Sequence, residues 1–111
     1  MKRQDLLASA ALVLSTALGA TGACSRRAPR SHQVAIRNFI FQPETLTVAA
    51  GDTVVWTNSD FVPHTATARG GEWDSKSVGA NGTWTFVATT AGRHTYYCVF
   101  HPNMQGVIEV R

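Results

Sequence analysis

Apolar and polar positions alternate in short runs along most of this chain, and no stretch keeps a helical period of useful length. Val34 and Ile36 are followed by Phe39 and Phe41, an alternation with one slip. Leu46 and Val48 alternate with Thr45 and Thr47, and Gly51-Asp52 turns the chain into the run 53–57 around Trp56. Asn58, Ser59 and Asp60 form a loop cluster, after which Thr/Ala alternation resumes over residues 62–68. Residues 69–80 hold Gly70, Gly71 and Gly79 around Trp73, which reads as an excursion between sheets pinned by that indole. Asn81-Gly82 is a hairpin-type turn before residues 83–87, where Trp84 and Phe86 share a face. Gly92 opens the run that ends at Cys98, and Gly106 precedes the last apolar alternation, 107–110. Short strands at regular spacing, split by Gly, Asn and Pro, predict an all-β, Greek-key β-sandwich of about seven or eight strands.

The first part of the chain follows a different pattern. Met1-Lys2-Arg3 is basic, and residues 6–23 carry no charge. Residues 1–24 therefore read as an export signal, with small residues at 20–23 as a cleavage zone. The strongly apolar part, 6–18, is shorter than the ~20 residues a spanning helix needs. Gly22-Ala23-Cys24 also resembles the end of a bacterial lipoprotein cleavage box, with Thr21 where a large aliphatic residue is usual. A lipid on Cys24 would anchor the mature protein to a membrane. Residues 25–31, with Arg26, Arg27, Pro29 and Arg30, read as a basic flexible tether, and 32–111 as one folded domain. The expected location is the periplasm or the outer face of the cytoplasmic membrane.

Charge then narrows the function classes. The formal net charge is +3, but Lys2, Arg3, Arg26, Arg27 and Arg30 lie in the leader and tether. Within 32–111, Arg37, Arg69, Lys76, Arg93 and Arg111 face Glu44, Asp52, Asp60, Glu72, Asp74 and Glu109. The domain is near neutral, without the basic stripe a nucleic-acid binder needs. No disulfide is expected, because one of the two cysteines sits at the processing zone.

The chemistry concentrates near the C-terminal end. Cys98, His101 and Met104 are spaced by two residues each, and His64 stands upstream behind Pro63. A straight strand would send alternate side chains to opposite faces, so this spacing predicts a tight loop whose side chains converge. Pro102 stiffens that loop and Gly106 lets the chain turn back. Two imidazoles, a thiolate and a thioether form a soft set that selects copper, and a His₂Cys plane with a long axial Met is an electron-transfer arrangement. Thioether is a poor zinc ligand, and a second domain cysteine for a Cys₂His₂ zinc site is missing. His32 and His94 lack ligand context and are left out of the set.

The segments Trp56-Thr57-Asn58, Pro63-His64-Thr65, Gly92-x-x-x-Tyr96-x-Cys98-x-x-His101-Pro102-x-Met104-x-Gly106 and Val107-Ile108-Glu109-Val110 resemble the plastocyanin/azurin family of cupredoxins. The ligand loop is most like that of amicyanin. The resemblance covers nearly all of 32–111. It implies a cupredoxin-like Greek-key fold, with His64, Cys98, His101 and Met104 holding one copper ion. It also implies a periplasmic or membrane-facing shuttle of single electrons between Cu(II) and Cu(I).

Two positions depart from the family pattern. Thr65 stands where many members place Asn, whose side chain helps join the ligand loops. Phe100 replaces a proline, and its N–H is expected to point at the Cys98 sulfur and raise the potential. The ring edge of His101, among Phe61, Phe100 and Pro102, is the expected electron port.

A filled four-ligand site leaves no position for a substrate, so no enzyme is expected. The implied partner is a transient redox protein, namely a cytochrome, an oxidase or a dehydrogenase, met by a monomer. No nucleic acid is expected, and a membrane only through lipid on Cys24. Two alternatives stay open on the residues alone, a copper carrier or buffer and a metal-free binding sandwich.

Overall fold

The computed structural model describes residues 27–111. The expected export signal, 1–24, and Cys24 lie outside the described residues. Eight strands follow in order: β1 (Ser31–Arg37), β2 (Ile40–Gln42), β3 (Thr45–Val48), β4 (Thr53–Asn58), β5 (Thr67–Ala68), β6 (Thr83–Val87), β7 (Gly92–Cys98) and β8 (His101–Val110). They form two four-stranded sheets, ordered β2-β1-β4-β6 and β3-β8-β7-β5. The pairs β1–β4 and β3–β8 are parallel, and the other pairings are antiparallel. The expected all-β sandwich is the observed architecture, and no helix occurs among the described residues.

Period-two alternation builds the core. Val34 and Ile36 of β1, Val54 and Trp56 of β4, Tyr96 and Cys98 of β7 and Ile108 of β8 are fully buried between the sheets. The slip after Ile36 is a turn, because Asn38 and Phe39 both adopt positive φ (53° and 60°). That turn puts Phe41 back into the core and leaves Phe39 half exposed. Trp73 does pin the 69–80 excursion. It is buried against Trp56, Phe86 and Tyr96, with ring centroids 6.0, 4.9 and 5.8 Å away. The expected Asn81-Gly82 hairpin is instead a turn closed by Gly82 N–H to Gly79 O at 2.9 Å, with Asn81 at φ 62° as its third residue, and it joins β5 and β6, which lie in different sheets. Gly106 lies against the Tyr96 ring so closely that a Cβ there would collide with it.

The strands also define two poles. β4 and β7 run toward one end, where Asn58 and Cys98 lie. Asp52, Gly92 and Arg111 mark the other end, where Ala50 N–H donates to Arg111 O at 2.9 Å. At this second pole residues 27–31, the described part of the segment expected as a tether, are in contact with the domain. Strand β1 begins at Ser31, Arg27 Nη2 and Arg30 N–H both donate to Asp52, and Thr53 N–H donates to Arg30 O.

Candidate metal centre

The three C-terminal candidate ligands, Cys98, His101 and Met104, sit on a hairpin. In β7–β8, Tyr97 pairs with Gln105, but the next residue, Cys98, pairs with His101. Pro102, Asn103 and Met104 therefore have no partner across the ladder and bow out as a bulge. Val99 and Phe100 form the turn between Cys98 and His101. The predicted tight loop is thus a hairpin tip with a bulge on its return strand. The irregularity frees Met104 from strict alternation, and its side chain is buried in the core cluster. Cys98 is fully buried and is a free thiol, while His101 is partly exposed.

His64 reaches the same pole from the segment after β4. Its backbone makes an isolated two-bond bridge with Val78, N–H to O at 3.1 Å and the return bond at 2.8 Å. Asn58, the buried last residue of β4, braces that bridge. Its side-chain amide donates to Val62 O and Val78 O, each at 2.9 Å. The imidazole of His64 is completely buried, and its Nδ1 lies 3.7 Å from Cys98 Sγ. The rings of His64 and His101 are 5.3 Å apart.

The other nitrogen of His64 is taken. Nε2 lies 2.8 Å from Asp60 Oδ2, four residues earlier in the chain. Asp60 also accepts Asn38 N–H at 2.7 Å and Phe39 N–H at 2.9 Å. Burial pushes the Asp60 carboxyl up, but the two N–H donors and the His64 ring outweigh it and hold it below its ordinary value. A carboxylate on Nε2 fixes the ring orientation and turns Nδ1 toward the sulfur, the usual support for a metal-binding imidazole.

The sulfur has its own donor. Thr65 N–H donates to Cys98 Sγ at 3.3 Å, and Thr65 Oγ1 accepts Val99 N–H at 2.9 Å. Thr65 therefore joins the two ligand segments despite being shorter than Asn. The expectation for Phe100 is corrected: among the described residues the backbone donor to the Cys98 sulfur is Thr65 N–H, and no bond from Phe100 N–H is formed. Phe39 was read from the sequence only as part of the apolar alternation. Its ring stands edge-on to both imidazoles, 5.1 Å from His64 and 4.8 Å from His101. Asp60 was read only as a loop residue; its place four residues before His64 was the available signal.

Among the described residues, no group of three or more His, Cys, Asp or Glu side chains closes on one point. His64 and Cys98 are brought together, His101 stands beside them with its ring near that of His64, and Met104 lines the core beneath. His94 is a packed histidine, with Nε2 2.8 Å from Thr90 O and its ring edge on Trp73. His32 lies at the opposite pole, with Nε2 2.9 Å from Asp52 Oδ2.

A family model described as a cupredoxin-like domain matches residues 6–110. The chain is a member of the cupredoxin family. Amicyanin-alpha of Methylorubrum extorquens is 29% identical over 109 residues, covering 94% of this chain and 92% of that protein. Among solved structures, an oxidized Met-to-Leu mutant of amicyanin superposes with a TM-score of 0.68 and 26% identity, covering 71% of this chain and 80% of that one. A purple cupredoxin from Nitrosopumilus maritimus gives 0.66 and 29%, covering 71% and 98%. This cupredoxin is thus closely similar to amicyanin in sequence and in fold.

Proposed function

We propose that this cupredoxin is a single-electron carrier that holds one copper ion with His64 Nδ1, Cys98 Sγ, an imidazole nitrogen of His101 and Met104 Sδ. The observation that carries the reading is the buried imidazole of His64, tied through Nε2 to Asp60 and facing the Cys98 sulfur with its remaining nitrogen at 3.7 Å. The donor set suits a soft, redox-active ion, and the similarity to amicyanin supports the same ion. Bound there, copper supplies a reversible Cu(II)/Cu(I) couple.

The chain's own residues do the rest. Asp60 and the Asn58 bracing hold His64 in place, and Thr65 N–H withdraws charge from the thiolate and favours the reduced state. Phe39 covers both imidazoles, and the burial of Cys98 and His64 excludes water. Because both ligand segments are hydrogen-bonded to each other, little atomic motion accompanies a change of charge.

His101 is the partly exposed member of the set, and electrons enter and leave through its ring edge. Phe100, next to it in the chain, is 50% exposed, and Phe61, three residues before His64, is 99% exposed. Such a small apolar surface suits a weak, short-lived encounter with a cytochrome, an oxidase or a dehydrogenase. The export signal read over 1–24 assigns the carrier to the periplasm or to the outer face of the cytoplasmic membrane.

A visible spectrum and a voltammogram of the copper-loaded protein test this. The carrier reading expects an intense thiolate-to-copper band and a reversible wave, both lost in Cys98→Ser. Colourless, chelator-labile copper with no reversible wave would replace it with metal carriage.

A further inference from the structure

The pole opposite His101 is built from the end of the tether. Asp52 is almost completely buried there, and its carboxylate takes Arg27 Nη2, Arg30 N–H and Ala49 N–H at 3.0 Å each and His32 Nε2 at 2.9 Å. These bonds fasten the chain from Arg27 onward to the domain. Cys24 is only three residues further back. Three extended residues span ~10 Å, so whatever holds Cys24 holds it beside this pole.

The same pole is basic. Arg27, Arg30, Arg93 and Arg111 are exposed there, against Asp52 and Glu109. Asp52 is spent on its four partners, and Glu109 is shared between Arg93 at 2.9 Å and Arg111 at 3.8 Å. Glu72 lies to the side, against His94. A cleft of about 290 Å³ opens between Arg27, Arg30, His32 and Arg111, with Asp52 behind them. A cleft bordered by three arginines suits the oxygens of a phosphate diester, which guanidinium groups bind through paired N–H donors.

We propose that this pole is a docking face for an anionic phospholipid surface, with a headgroup phosphate seated between Arg27, Arg30 and Arg111. The His101 end then faces away from the bilayer. Strand β8 spans His101–Val110, ten residues, which is a standoff of ~30 Å at strand rise. A single acyl chain gives only marginal membrane binding, and a basic patch is the kind of second contribution that makes it stable. The docking does not depend on the metal reading; only the meaning of the outward-facing end does.

The test uses metal-free full chain carrying Cys24→Ser, so that neither copper nor an acyl group enters. Binding to phosphatidylglycerol vesicles is compared with binding to phosphatidylcholine vesicles, with and without Arg30→Gln/Arg111→Gln. These two side chains can be changed without touching the Asp52 bonds, because Arg30 uses its backbone N–H there. The preference for phosphatidylglycerol should drop roughly tenfold in the double variant. Inorganic phosphate should compete poorly, since it lacks the surface potential of the bilayer. A dye on Ala50→Cys should be quenched by a headgroup-borne quencher, and one on Phe61→Cys should not. An unchanged lipid preference in the double variant, or quenching at position 61 instead of 50, would overturn the proposal.

Discussion

Asp52 and Asp60 sit at opposite ends of the sandwich in nearly the same local setting. Each carboxylate accepts two backbone N–H groups, Asp60 both from Asn38 and Phe39 of a distant segment, Asp52 one from distant Arg30 and one from Ala49 three residues before it, and each takes the Nε2 of a histidine at 2.8–2.9 Å. The difference lies on the far side of the imidazole. His64 is completely buried with a thiol beyond its Nδ1, whereas the His32 side chain is 23% exposed and its carboxylate also carries Arg27. One carboxylate–histidine pair therefore orients a donor toward sulfur, and the other fastens a chain end. The motif is shared, and its use depends on what the second nitrogen meets.

The strongest break of this comparison is Cys98→Ser. It takes away the sulfur and should abolish the thiolate-to-copper band entirely, while the Asp52 end is untouched. Next, Asp60→Asn should weaken copper binding by roughly 10- to 100-fold, the usual cost of losing a partner that orients a metal-binding imidazole. A competition titration against a chelator of known affinity measures it, and the same titration on Asp52→Asn should show no change. If both variants lose copper equally, the two pairs do not differ in use.

Asp52→Asn should act on stability instead. The Arg30 N–H, then the His32 ring, overcome the cost of burial and hold the Asp52 carboxyl far below the ordinary carboxylate range. A lowered folded pKa stabilises the fold fully above the unfolded value, near ~3.9, and that stabilisation is lost as the pH falls through the lower folded value. The variant should thus be less stable at neutral pH and lose less further stability on acidification below about pH 4. Unfolding curves across pH read both features. Smallest in stability is Phe61→Lys, expected within about 0.5 kcal/mol because the side chain is 99% exposed. Its effect should fall on electron self-exchange, which slows when a charge stands beside the port. An unchanged exchange rate would move the port away from His101.

Much of the fold could be read before any coordinates. Alternation around Val34, Val54, Trp56, Tyr96 and Ile108 marked the core strands, because one residue in two must face the opposite sheet. The Cys98-x-x-His101-x-x-Met104 array was legible because its chemistry is local in sequence. The slip at Phe39 was visible, but not its cause, since positive φ at Asn38 and Phe39 depends on both N–H groups binding Asp60 from another loop. The bonds of Thr65 to Cys98 and Val99 were hidden for the same reason: they join residues more than thirty positions apart.

Residue types and their local spacing determined the strand periodicity, the near-neutral domain charge and a donor set suited to copper. Those follow from side-chain chemistry and from the period of the backbone. Tertiary packing decided which histidine met the thiol, which aspartate aimed it and which pole received the tether. These depend on register and sheet order, through which a single buried carboxylate can collect donors from segments that no sequence interval connects.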